Sequence, residues 1–93
     1  MEAETFESVW DALARDPAEA ANLKARSDLI TAIQARVRSW GVTQEAAAAR
    51  LGIGRTRLND LLRDKMHKFS LDALVNLAVR AGLALEIRIA DAA

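Results

Sequence analysis

Between Thr43 and Arg63 the apolar residues fall every three or four positions in two short runs, Ala47, Ala48 and Leu51, then Leu58, Leu61 and Leu62. That spacing predicts two helices, each with one narrow apolar stripe. Only Gly52-Ile53-Gly54 separates them, which is enough for a tight turn, so the two stripes must face each other. Ala48 is small where the helices would cross, Gly52 permits the reversal and Ile53 plugs the corner, while Leu51, Leu58 and Leu61 complete the contact. The outer side of the second helix is left with Arg55, Thr56, Arg57, Asn59, Asp60 and Arg63.

The same reading extends along the chain. Phe6, Val9, Trp10 and Leu13 predict a short amphipathic helix over 5–14 with an acidic polar face. Asp16-Pro17-Ala18-Glu19 has the form of a capping box with proline at the first helical position. It opens a stripe through Ala21, Ala25, Leu29, Ala32, Ile33, Val37 and Trp40 that ends at Gly41. One helix over 17–40 accounts for it, although Ser27-Asp28, both good N-caps, could break it in two. Thr43 caps the helix-turn-helix over 43–63, placing Gln44 at a partially positive helix end. Ser70 caps a further helix over 70–81, with Phe69 positioned to staple onto Leu74.

From 83 to 90 the period changes to two. Leu83, Leu85, Ile87 and Ile89 alternate with Ala84, Glu86, Arg88 and Ala90, which predicts a strand. A lone strand in a helical chain lacks a partner, and antiparallel self-pairing over Leu85, Glu86, Ile87, Arg88 and Ile89 would set Glu86 against Arg88 of a second copy. The N-terminal segment could instead pair in cis. The expected fold is therefore all-α with one C-terminal strand, a single domain over 1–93 whose strand joins two copies into a homodimer.

Charge sharpens this picture. The formal net charge is zero, yet the first 23 residues carry six acids against Arg15, whereas Lys24 to Lys68 hold ten lysines and arginines against Asp28, Glu45, Asp60 and Asp64. The basic excess surrounds the two-helix unit, as a phosphate-binding surface requires. Base-edge contacts then fall to Arg55, Thr56, Asn59, Asp60 and Arg63, and phosphate contacts to Gln44, Arg57, Lys65 and Lys68. Asp60 would accept from cytosine or orient a neighbouring arginine.

Other chemistry finds little support. With no cysteine and one histidine, His67, that has no paired carboxylate nearby, no metal site is expected. No nucleophile stands beside a base and no glycine-rich phosphate loop precedes a helix, so neither an enzyme nor a cofactor is expected. Trp40 reads as core packing, while Phe6 and Trp10 either close the domain's own core or form a patch for a protein partner. The chain shows no signal-like N-terminus and no long apolar run, so no membrane contact and a cytoplasmic location are expected.

Two stretches, TQEAAAARLGIGRTRLNDLLR and KFSLDALVNLAVRAGLALEIRIA, together with the run L-x-x-R-S-D-L at Leu23 to Leu29, carry a family likeness. From Phe6 to Ile89 the chain resembles XRE-type, lambda-repressor-like helix-turn-helix regulators, and within them the small HigA-like antitoxin branch. The resemblance implies a homodimeric repressor on an inverted-repeat operator in double-stranded DNA. It also implies neutralisation of a RelE/HigB-like ribonuclease toxin, with Phe6 and Trp10 as possible toxin contacts. A stand-alone phage-like repressor, or a helical protein-interaction module that does not bind DNA, are the alternatives. Two positions depart from the family's habit: Gly54 replaces the usual Ser or Thr cap, and Arg55 stands where Gln is common, which would shift preference from adenine toward guanine.

Overall fold

The computed structural model describes residues 16–91. Helix α1 spans Pro17–Trp40, α2 Gln44–Leu51 and α3 Arg55–Leu62; a 3-10 turn covers Met66–Lys68, and α4 spans Leu71–Arg80. Each helix begins where a polar residue can close its first turn, except α3. The Asp16 carboxylate accepts from the Ala18 and Glu19 N–H groups at 3.1 and 3.3 Å, Thr43 Oγ1 from Ala46 at 3.1 Å, and Ser70 Oγ from Ala73 at 3.1 Å. Gly54 leads into α3 with no side-chain cap. Helix α1 runs unbroken through Ser27-Asp28, where Asp28 pairs with Lys24 one turn earlier at 2.9 Å.

Three helices share one mode of termination. At the end of α2, Ile53 N–H donates to Ala48 O and Gly52 N–H to Ala49 O, at 3.0 and 3.1 Å, with Gly52 left-handed at φ 70°. This is a Schellman ending, and its hydrophobic closure is Ile53 over Ala48. Gly82 ends α4 in the same way, through Leu83 N–H to Ala78 O and Gly82 N–H to Val79 O. Helix α3 repeats the pattern with Lys65 N–H on Asp60 O and Asp64 N–H on Leu61 O, but the left-handed residue is Asp64, at φ 59°. A left-handed conformation is costly for any residue bearing a Cβ, and aspartate is among the side chains that tolerate it by bonding locally.

Here the bond is long-range. Gln34, buried on the face of α1 between Ile30, Ile33 and Val37, donates from Nε2 to Leu61 O at 2.8 Å and to Asp64 Oδ1 at 2.7 Å. One amide from α1 thus fixes the exit of α3. The core lies beneath it, built around Ile33, Leu51, Leu58, Leu61, Phe69 and Leu74, all essentially without solvent contact. Ala47 and Ala48 are also buried, so α2 and α3 approach closely. Arg80 of α4 reaches over the elbow and donates to Leu51 O at 3.2 Å, through space that a Cβ on Gly52 would fill.

The C-terminal expectation is corrected. Residues 83–91 contain no strand, and none occurs anywhere among the described residues. After the Schellman ending only Leu83 packs against the core. Leu85, Glu86, Ile87, Arg88 and Ile89 are exposed, Ile87 at 76% and Ile89 at 92%. Alternation of apolar and polar residues permits a strand but does not make one, because a strand exists only where a second backbone supplies the ladder. The neighbours of this segment, α1 and α4, offer side chains instead, and together with Leu83 and Leu85 they border an open apolar recess lined by Leu29, Ala32, Leu71 and Val75. Strand pairing across a dimer therefore has no basis in this fold. The expected 5–14 helix, with Phe6 and Trp10, lies outside the described residues.

Removing the Gln34 amide tests its role in holding α3. Gln34→Leu, which fits the apolar surroundings, is expected to lower unfolding free energy by about 1–2 kcal/mol in urea melts. At the left-handed position, Asp64→Asn should be nearly neutral, whereas Asp64→Val should cost about 2–3 kcal/mol by adding strain and losing the acceptor.

Candidate nucleic-acid interface

Helix α3 has eight residues, too few to be stable in isolation. It is helical because Leu58 and Leu61 are buried to 0% exposure against α1 and α2, each contributing about 1.5–3 kcal/mol. With those two positions committed to the core, Arg55, Thr56 and Arg57 are exposed and Asn59 and Asp60 are half-buried. Arg63, the residue after the last helical one, is exposed, and its N–H closes the helix on Asn59 O at 3.0 Å.

These positions separate into two groups. Gln44, at the first turn of α2, comes together with Arg55, Thr56 and Asn59 around one open recess of about 420 Å³. The recess holds an amide from each helix, a hydroxyl and a guanidinium, and α2 presents its N-terminal end to it. Such a set can donate to phosphate and both donate to and accept from base edges. The side chain that the turn leaves out helps here: Gly54 has no cap to occupy the entrance of α3.

The second group lies on the other flank. The Arg57 guanidinium stacks over the Phe69 ring, 4.6 Å from its centroid, so its direction is set by the segment that follows α3. Asp60 faces the same segment, with Lys65 Nζ 3.6 Å from Oδ1 and Lys68 Nζ 3.6 Å from Oδ2. The structure therefore does not bring Asp60, Arg57, Lys65 and Lys68 to the Gln44 recess. His67 is exposed in the 3-10 turn, and no cluster among the described residues could hold a metal ion. No described helix is long and apolar enough to cross a membrane.

Three supporting residues escape a reading by helical period. Gln34 could have been noticed as a polar residue inside the stripe of Ile30, Ile33 and Val37. Arg26 ties α1 to the 3-10 turn through Nη1 to Met66 O at 3.3 Å, and Arg80 ties α4 to the elbow. Both act on backbone carbonyls, for which the sequence carries no signal. Trp40 is only half-buried, and Arg50 of α2 stacks on it 4.9 Å from the ring centroid.

Comparison with known proteins agrees with this geometry. Residues 13–90 match a family model described as a helix-turn-helix domain. Among solved structures, one named as an XRE-family transcriptional regulator superposes with a TM-score of 0.72 at 30% identity, covering 78% of this chain and 82% of the other. No curated protein matches. The short helix pinned inward by Leu58 and Leu61 with its polar side exposed, the basic segment around it and these two likenesses lead to one assignment: the chain belongs to the XRE-type helix-turn-helix family of DNA-binding transcriptional regulators.

Proposed function

We propose that the chain is a sequence-specific repressor that inserts α3 into the major groove and blocks transcription by occupying its operator. The convergence of Gln44, Arg55, Thr56 and Asn59 on one recess supports this reading most directly. Arg55 opens α3 and is long enough to reach guanine O6 and N7, Asn59 has the donor and acceptor that adenine requires, and Thr56 offers a methyl group to thymine. Gln44 meets a phosphate at the N-terminal end of α2, where unpaired N–H groups favour an anion. Arg63, Arg57, Lys65 and Lys68 extend the charged flank along the backbone.

A helix of eight residues spans few base pairs. Useful affinity then calls for two copies on an inverted repeat, with half-sites about one helical turn apart. We further propose that the protein is the antitoxin of a toxin-antitoxin pair, on the strength of the L-x-x-R-S-D-L run at Leu23 to Leu29 and the F-S-L-D-x-L-V-N run at Phe69 to Asn76. In this reading Phe6 and Trp10 contact a RelE/HigB-like toxin. Co-expression with the product of the adjacent reading frame tests the antitoxin role: rescue of growth by the intact chain, and its loss with Phe6→Ala and Trp10→Ala, is the expected result.

The DNA reading is checked by selection from a random duplex library followed by titration of the selected site. Arg55→Ala should weaken that site by about 1–3 kcal/mol and relax one base position, whereas Gln44→Ala should weaken all sequences alike. Sedimentation of the complex should show two chains per selected site, and a single chain at full occupancy would contradict the inverted-repeat arrangement.

A further inference from the structure

Asp60 is engaged on both oxygens by lysines that its backbone does not need. The turn after α3 is closed without them, by Lys65 N–H to Asp60 O and Lys68 N–H to Lys65 O, each at 3.0 Å, by Phe69 N–H to Met66 O at 3.1 Å, and by the donors that Gln34 and Arg26 send from α1. The two ammonium groups nevertheless lie 3.6 Å from Oδ1 and from Oδ2. Their exposure is unequal. The Asp60 side chain is 13% exposed, whereas those of Lys65 and Lys68 are 40% and 48% exposed. The carboxylate is thus covered by its partners, and the cations face water on the flank next to the α3 surface.

We propose that Asp60 sets the sequence-independent DNA affinity of this chain by competing with phosphate for Lys65 and Lys68, and does not read a base. This rests on the DNA-binding function above and adds to it a residue that tunes it. At 3.6 Å the pairs are longer than a charge-assisted N–H···O bond, so a phosphate oxygen offering shorter contact can take either lysine without displacing the helix. Each lysine that transfers leaves a carboxylate without its partner, and this residual cost falls on every duplex equally. A cytosine amino group, by contrast, would have to approach an oxygen already faced by an ammonium and mostly covered by side chains.

Anisotropy titration of a short labelled duplex of random sequence, carried from low to physiological salt, tests this without knowledge of the operator. Asp60→Asn keeps the shape and removes the charge. It should bind the random duplex about three- to tenfold more tightly at low salt, since an exposed ion pair is worth up to about fivefold. Its salt dependence should steepen by up to about 0.9 in log–log slope for each lysine released. In a Lys65→Gln, Lys68→Gln background the same Asp60 substitution should change affinity by less than about twofold, because only the screened field of one carboxylate remains. Thermal melting establishes that each variant is folded, and Asp60→Ser carries the same expectation should Asn prove unstable. Wild-type affinity and slope in a folded Asp60 variant, or an effect confined to one base position of the selected site, would overturn the proposal while leaving DNA binding intact. A wild-type chain that ignores the random duplex even at low salt would overturn both.

Discussion

The exposed polar side of α3 depends on two leucines of the same helix being drawn under α1 and α2. A helix of two turns gains too little from its own hydrogen bonds to persist, and α3 also lacks a side-chain cap at its start. Burial of Leu58 and Leu61 supplies what local bonding does not, and it decides rotation as well as stability. With those positions inward, the spacing of the helix dictates that Arg55, Thr56 and Asn59 emerge on the side nearest Gln44. The polar recess and the core packing are therefore set by the same rotation.

Rotation alone would leave the far end of α3 loose. Its exit bends through a left-handed aspartate where the other two Schellman endings use glycine, and the Gln34 amide spans from α1 to that aspartate and to the Leu61 carbonyl in the last turn of the helix. A buried amide with both of its hydrogens committed holds direction better than an apolar contact of equal size, because hydrogen bonds weaken steeply with angle. Arg26 and Arg80 act similarly from outside, Arg26 donating to Met66 O in the 3-10 turn and Arg80 to Leu51 O at the end of α2. Helix α3 is thus supported at its base by leucines and at its connections by donors from α1 and α4.

How much of this the sequence reveals depends on the range of the forces involved. The elbow is local: two short stripes, a glycine and a three-residue turn leave one way to pack, and Thr43 and Ser70 cap as residues next to apolar runs tend to do. Asp60 is a different case. Helical spacing puts it opposite Leu58, which suggests an outward-facing acceptor, but the chain folds back through the 3-10 turn and brings two lysines onto it. Nothing within α3 encodes that return. Gln34 is legible only as an anomaly, a polar residue in an apolar row, and the carbonyl it serves lies 27 positions away. The tail at 83–91 shows the opposite failure, a clear local alternation with no backbone beside it, among the described residues, to turn the pattern into a sheet.

Gly41 and Gly52 end consecutive helices with nearly the same backbone angles, φ 62° and φ 70°. Nothing lies within 4 Å of where a Cβ on Gly41 would stand, so only its torsion is constrained, and asparagine is an admissible replacement. At Gly52 the same point is occupied by the Arg80 guanidinium on its way to Leu51 O, so a residue comfortable with the torsion fits only if that side chain swings aside and gives up its bond. Two glycines that look interchangeable in a string of letters thus obey different alphabets: one admits any residue that can turn left, while the other is spoken for by an arginine 28 residues downstream.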